Sequence, residues 1–378
     1  MANLIRKLIR FSSFVKVFTI IVLSALLLSY IAPFVHPNTF RLVPLFGLLY
    51  PVLLLIALFL LIIWSLARSK WALITLGVIL IGGKLHFRLF AFGENQEVDL
   101  KNVNPLHVMS YNVRLFDLYT AQKGEKYTKR DAIFKYIQAT NPDIICFQEF
   151  YHQDKPTSFS TRDTLIQLLN FKDYHERYAH KLTGRQNFGV AVLSKYPMIA
   201  KGDVMFPTQG EKDFNYCVFV DIVKNNDTFR VYNVHLQSIK LKDDDYSVFD
   251  KDATATSKVK STLSLMFEKL TIAYPKRADQ ARTVVEHIKT SPYPTIVCGD
   301  FNDTPMSYAY NQFNNFLTDS FRNSMTGIGS TYVGRVPAGR IDYIFHTKEL
   351  QSTQFKIQEK PLSDHRAISC KIFKPRNQ

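Results

Sequence analysis

Eight residues with oxygen-bearing or imidazole side chains fall at or near the ends of apolar, strand-like runs. Asn112 closes LHVMSYN, Glu149 closes IICFQE, His235 closes RVYNVH, and Asp300 with Asn302 ends TIVCGDFN; Asp342 interrupts GRIDYIF, and Asp364 with His365 precedes RAIS. A core does not accept such groups unpaired. Singly, each has an ordinary account: a strand-end turn for Asn112, a solvated strand end for Glu149, a satisfied histidine for His235, an Asx-turn acceptor for Asp300. Jointly, the ordinary accounts weaken, because six runs carry the same kind of residue in the same kind of place. The carboxylates of Glu149 and Asp300 with the amides of Asn112 and Asn302 make a hard, oxygen-rich set, which fits Mg²⁺ best, with Mn²⁺ as the alternative. His235 and His365 titrate near neutrality and can each stabilise a phosphoryl oxygen or move a proton. Asp342 can fix the tautomer of His365.

The elements that must position these residues read as one mixed α/β domain of about 270 residues from residue 106 onward, within what a single domain holds. LHVMSYNV, DIICFQEF, FGVAVLSKYPM, YCVFVDIV, TFRVYNVHL, PTIVCGD, GRIDYIFH and HRAISCKIF read as strands, and TKRDAIFKYIQAT as an amphipathic helix. DTLIQLLN reads as a short helix, and a helix resumes by Leu263, is interrupted at Tyr274 and Pro275, and continues as a second helix over Lys276 to Lys289. The polar segment Gln237 to Thr262 reads as a long surface excursion. Alternation of strands and helices early, then strand after strand, favours two packed mixed sheets with helices on their outer faces, an α/β/β/α sandwich.

The amino-terminal quarter differs in kind. Residues 1–93 contain nine Lys and Arg and no Asp or Glu, which leaves 38 basic against 32 acidic residues for the rest of a chain of 378 residues and net charge +15. The soluble part is therefore only mildly basic, a weak footprint for a nucleic-acid binder that works by charge alone. Val17 to Val35 and Leu42 to Ala67 are each apolar enough for a membrane span. A third run from Trp71 is broken by Lys84 and Arg88, which can snorkel, so that a span over about 71–90 competes with an interfacial helix. A retained anchor fits better than a cleaved signal peptide, because a second span follows at once and no clean cleavage site is present. Arg6, Lys7, Arg10 and Lys16 before the first span and Arg68 with Lys70 after the second put both ends of that hairpin inside. Residues 1–93 are then the anchor and 94–378 the catalytic domain. If the third segment crosses, which is favoured because on a continuing helix His86 points away from the face shared by Lys84 and Arg88, this domain lies outside the cytoplasm, in the periplasm if the cell is a Gram-negative bacterium; if the segment lies in the interface, the domain is cytoplasmic. The four cysteines, Cys146, Cys217, Cys298 and Cys370, have no CxxC spacing and read as buried hydrophobes.

The motifs SYNV (110–113), QE (148–149), NVHL (233–236), GDFND (299–303), RIDYIF (340–345) and SDHRA (363–367) occur in this order. In them the chain resembles the endonuclease/exonuclease/phosphatase superfamily, which includes deoxyribonuclease I, apurinic endonucleases, neutral sphingomyelinases and inositol polyphosphate 5-phosphatases. The resemblance spans Leu106 to Phe373. It implies Glu149 as principal Mg²⁺ ligand, helped by Asn112 and Asp364, with Asp300 orienting or deprotonating the attacking water and Asn302 holding the phosphate. His365, paired with Asp342, resembles the family's histidine at the scissile phosphate. His235 resembles the site of deoxyribonuclease I, sphingomyelinases and phosphatases, which argues against abasic-site repair. Arg277 and Gln280 resemble the helix behind the catalytic strands. The function implied is a membrane-anchored phosphoesterase, with an extracytoplasmic endonuclease or, further off, an inactive tethered binding module as alternatives. Its partners are the lipid bilayer and a phosphoester, whether phospholipid head group, nucleic acid or small molecule; nothing calls for a specific protein partner.

Overall fold

The computed structural model describes residues 2–93, 103–118, 127–154, 157, 159–182, 186–207, 215–239, 256–334 and 339–375. Three helices form the amino-terminal part: α1 (Ala2–Ile31), α2 (Val43–Leu66) and α3 (Trp71–Ile81), the last followed after a bend of 66° by a helical segment that ends in α4 (His86–Leu89). The first helix stops at Ile31, short of the expected Val35, because Pro33 disfavours helical backbone at the residue before it. Ser13–Ile31 and Val43–Leu66 are long and apolar enough to cross a membrane, and the bent pair passes the same test if it is one span. Two polar layers pin the helices against each other. In one, the Trp64 Nε1–H donates to Thr19 Oγ1 at 3.0 Å and the rings of Trp64 and Trp71 lie 6.0 Å apart. In the other, Tyr30, Tyr50 and His86 cluster; the His86 Nε2–H donates to the Ile79 carbonyl, so Nδ1 accepts from the Tyr50 hydroxyl.

The remainder follows as β1 (Ala91–Phe92), β2 (Leu106–Asn112), α5 (Thr128–Thr140), β3 (Ile144–Gln153), α6 (Thr161–Leu169), β4 (Asp173–Leu182), β5 (Gln186–Ser194), β6 (Met198–Val204), β7 (Cys217–Lys224), β8 (Asp227–His235), α7 (Thr256–Lys289), β9 (Thr295–Asp300), α8 (Tyr308–Asn314), β10 (Thr318–Asp319), α9 (Ser320–Ser324), β11 (Thr326–Gly327), β12 (Asp342–His346), β13 (Gln351–Ile357) and β14 (Ile368–Phe373). Two six-stranded sheets run β10-β12-β9-β8-β7-β6 and β13-β14-β2-β3-β5-β4. Both are mixed, as expected: β2 with β3 and β8 with β9 are parallel, and the other pairs are antiparallel. Their facing sides bury Val108, Cys146 and Val192 against Val220, Val231 and Cys298. The outer side of one sheet packs on α5 and α6 through Ile133, Ile137 and Leu165, and that of the other on α7 and α8 through Ala281, Val284 and Phe313. The result is the α/β/β/α sandwich. All four cysteines are buried free thiols.

Three local expectations are corrected. FGVAVLSKYPM is not one strand: β5 ends at Ser194, the turn through Tyr196 and Pro197 carries the chain to the other sheet, and β6 begins at Met198. Helix α7 is continuous across Tyr274 and Pro275 rather than two helices. It begins at Thr256, inside the expected excursion, of which residues 240–255 lie outside the described residues. Proline costs this helix one hydrogen bond without ending it.

Candidate active site

Asp300 is the hub. Parallel strands β8 and β9 set His235 directly opposite Asp300, and antiparallel β9 and β12 set Asp342 opposite it on the other side. The neighbour Gly299 allows this, since a Cβ there would lie 2.0 Å from the Val234 carbonyl oxygen. Asp300 Oδ2 accepts from Asn112 Nδ2 at 2.9 Å and Asn302 Nδ2 at 3.3 Å, and lies 3.7 Å from both His235 Nε2 and His365 Nε2. Its Oδ1 accepts from the Asn302 amide at 2.8 Å, so the Asx turn and the site are one structure. Asn302, at φ 53°, also donates from Nδ2 to the Leu236 carbonyl.

Glu149 does not close its strand. β3 continues to Gln153, and Glu149 sits in a bulge between Phe147 and Phe150 with φ 48°. A bulge re-aims one side chain while pairing resumes on either side, and here it points Glu149 at Asn112, whose Nδ2 lies 3.5 Å from Oε1. The carbonyl of Phe147 that borders the bulge accepts from Asn233 Nδ2 at 2.8 Å, and the same nitrogen serves the Ala191 carbonyl at 2.9 Å. Asn233 Oδ1 in turn accepts from Gln148 Nε2 at 2.7 Å. These buried amides bridge the two sheets directly behind Glu149. Both belong to the QE and NVHL motifs, in which neither residue type by itself points to a task.

His365 Nδ1 lies 3.1 and 3.0 Å from the two oxygens of Asp342, so Nε2 is the nitrogen facing Asp300. The amides of Ile341 and Asp342 donate to Thr331 Oγ1, and Tyr332 forms a bridge with His365 and sets its ring edgewise on the imidazole at 5.1 Å. Burial alone lowers the His365 pKa, but Asp342, Asp300 and Asp364 outweigh it and push the value up to about 10. The Glu149 carboxyl is pushed up by burial, with His235 opposing and Asp364 adding to the rise. His235 is buried, yet neither ring nitrogen has a hydrogen-bond partner among the described residues.

Asp364 lies at the mouth. Its Oδ1 accepts from Ser363 Oγ, and Arg114 Nε is 3.7 Å from Oδ2. Arg114 begins four consecutive residues of left-handed backbone, with φ 45°, 55°, 56° and 58° through Asp117. Such a run is costly and is held by its surroundings. Here the Arg114 amide donates to Asn112 Oδ1 at 3.1 Å and Phe116 is buried against Phe134 and Phe150. A cavity of about 350 Å³ is lined by Arg114, Asp117, Lys129, Val333, Leu362 and Asp364 among others. Behind the site, Arg277 Nε donates to the Gln237 carbonyl at 2.6 Å and Gln280 Oε1 accepts from the Gln237 amide, as the helix resemblance implied. Arg277 also lies 3.6 Å from Asp303, whose carboxyl burial pushes up to about 6 against the pull of that guanidinium.

All eight expected residues therefore fall at one end of the two sheets, and ligand atoms of Asp300, Asp342 and His365 lie within 4.8 Å of one another. A sandwich of two mixed sheets with carboxylates, amides and histidines gathered at one end defines a class of phosphoester hydrolase. The chain belongs to the endonuclease/exonuclease/phosphatase family, whose model matches residues 109–365, and is accordingly a metal-dependent phosphoric ester hydrolase. A family described as a domain of unknown function matches residues 12–89. No curated protein matches the chain. Among solved structures, an endonuclease/exonuclease/phosphatase from Beutenbergia cavernae is similar with 19% identity and TM-score 0.50, over 71% of this chain and 72% of that one. The human Nocturnin catalytic domain with bound sulfate is similar with 18% identity and TM-score 0.50, over 74% of this chain and 96% of that one. At these identities the likeness is one of fold.

Proposed function

We propose that the chain is a membrane-anchored phosphoesterase that uses Mg²⁺, with Mn²⁺ as substitute, to attack phosphorus with water. The observation that carries this reading is the unbroken chain of contacts from Glu149 through Asn112 and Asp300 to His365 and Asp342. Glu149 and Asp364 would hold the ion through carboxylate oxygens, with Asn112 beside them: its Nδ2 faces Glu149 and Asp300, and its Oδ1, which accepts from the Arg114 amide, has one lone pair left for the ion. When bound, the ion offsets charge on phosphoryl oxygens and makes water more acidic. Asp300 is the base for the attacking water, and Asn302 keeps its carboxylate turned toward the site. His365, held protonated by Asp342, offers its Nε2–H to a phosphoryl oxygen. The ring nitrogens of His235, which have no hydrogen-bond partner among the described residues, offer a second contact in a setting where preorganised donors count most. The experiment is hydrolysis of a bis-aryl phosphodiester by the full chain in detergent, with Mg²⁺, Mn²⁺, Ca²⁺ or EDTA. Turnover with Mg²⁺ that stops in EDTA is expected, and full activity in excess EDTA removes the reading.

Residues 1–93 are the anchor in this proposal and 94–378 the hydrolase domain. The third segment crosses, because Trp71 is level with Trp64 and His86 with Tyr50. Helix α3 and its bent continuation thus run back alongside most of α2, with aromatic residues at both levels as at the two faces of a bilayer.

A further inference from the structure

The anchor does not hold the hydrolase domain on a loose leash. Arg88 is buried and donates to Asn311 Oδ1 at 2.7 Å, and Arg340 donates to the Arg88 carbonyl at 3.1 Å while pairing with Asp319 at 2.7 Å. β1 pairs with β11, so the chain is bound to the domain directly after α4. The start of α2 presses on the loop after Asp300: Met306 is buried among the anchor's own core residues, and a Cβ on Gly47 would come 2.7 Å from its carbonyl oxygen. The α1–α2 connection adds His36, which lies 3.3 Å from Asp279 and edgewise on Tyr308 at 5.1 Å.

The contacts at Met306, Tyr308 and Asp279 lie toward the catalytic end, and those at Asn311 and β11 lie progressively further from it along the domain. Arg340 is two residues from Asp342 and Met306 six from Asp300, so the anchor's footing lies within about 7 Å of one site backbone position and about 21 Å of the other along the chain. Helix α7 reaches further. Its Arg277 and Gln280 meet Gln237, just past the end of β8, whereas His287 meets Tyr232 lower on that strand. Residues before 274 therefore continue beyond the catalytic end, on the side where Asp279 touches the anchor. That half carries Phe267 and Ile272, 45% and 56% exposed. Exposed apolar side chains on a helix that touches the α1–α2 connection at Asp279 have one economical cover, the bilayer surface.

We infer that the site opens toward the bilayer surface, with Phe267 and Ile272 of α7 seated in it, and that the substrate is a phosphoester borne by a membrane lipid. The inference rests on the anchored-hydrolase reading above. The 350 Å³ cavity beside Asp364, with Arg114 on its polar side and Val333 and Leu362 on its apolar side, is of head-group scale. Nucleic acid is the competing substrate, and the mildly basic soluble part gives it less to hold.

The test uses the full chain in phosphatidylcholine, phosphatidylethanolamine and phosphatidylglycerol vesicles, with release of phosphorus-containing head groups followed by ³¹P NMR. Plasmid DNA and a soluble bis-aryl phosphodiester are offered to the same vesicles. Because the native cysteines are buried, bimane on Ile272→Cys can report quenching by nitroxide lipids. Head-group release at least tenfold faster than DNA cleavage, with bimane quenched, is expected. Phe267→Ser/Ile272→Ser should lose about tenfold in lipid hydrolysis and keep aryl diester hydrolysis. DNA cleaved faster than every lipid, an unquenched bimane, or aryl diester turnover without lipid turnover overturns the inference and leaves the hydrolase standing. Absence of any turnover, aryl diester included, removes the hydrolase reading as well.

Discussion

Charge is concentrated on single side chains here, and the residue scale gives the sharpest expectations. Glu149→Gln keeps the volume and removes the charge that would hold the ion, so kcat on an aryl diester should fall by a factor on the order of 10² or more, with the melting temperature near wild type. Loss of activity only through loss of fold, seen by circular dichroism, would end the metal-ligand assignment. The His365 value of about 10 in the fold, against 6.5 for a free imidazole, carries a definite sign. The folded state binds that proton more tightly, so the pair's stabilisation is complete below about pH 6.5 and is lost as pH rises through about 10. In excess chelator the melting temperature should therefore drop from about pH 7 to pH 10 by more in wild type than in His365→Asn. Parallel curves for the two proteins would mean that Asp342 and His365 do not share charge. The eight site residues were legible because each is a polar residue where an apolar run should end or begin. Gln148, Asn233 and Thr331 were not, because their work is a hydrogen bond to a distant part of the chain, as in the pair Gln148 and Asn233, which are 85 positions apart.

At the scale of elements, the bulge in β3 is the feature that turns a strand into a site. Asn233 supports it from the other sheet through the carbonyls of Phe147 and Ala191. Asn233→Leu keeps similar bulk and leaves these buried acceptors without that donor, at a cost of about 1–3 kcal/mol for each one left unsatisfied. Urea melts should register that loss, and kcat should fall in the part that stays folded; unchanged kcat would mean that Glu149 does not depend on the bridge. The central strands were readable from apolar runs alone, as with β2, β3, β8 and β9. The edge strands β4 and β13 were not: β4, DYHERYAHKL, is mostly polar, and β13, QSTQFKI, has few apolar residues among the exposed Gln351, Gln354 and Lys356. Edge strands carry polar residues because one side has no neighbour, and this removes the pattern by which a strand is recognised. The bulge escaped for a related reason, since IICFQEF reads the same whether Glu149 ends the strand or is turned out of it. Pro275 misled in the opposite direction: packing of Tyr274 and Ala278 against the domain keeps α7 helical through a residue that usually breaks a helix.

For the whole molecule, the orientation of the anchor decides which phosphoesters the site can meet. The ends of α1 and α3 and the start of α2 share one level, marked by Tyr30, Tyr50 and His86, and the hydrolase domain is bound at that level through Arg88 and Met306. The other level holds Trp64 and Trp71, next to Arg68 and Lys70. If the basic level is cytoplasmic, as proposed from the distribution of Lys and Arg, the domain is on the far side. The buried position of Arg88 fits the proposed crossing: this cation is held by Asn311 instead of lying in lipid, and Lys84 precedes it at the same end. Alkaline phosphatase fused after Val98 should then be active and green fluorescent protein at the same joint dark, because the first matures only outside the cytoplasm and the second fluoresces efficiently only within it. A fluorescent, phosphatase-negative pair would turn the molecule over, put the site against the inner leaflet, and bring cytoplasmic nucleic acids back within its reach.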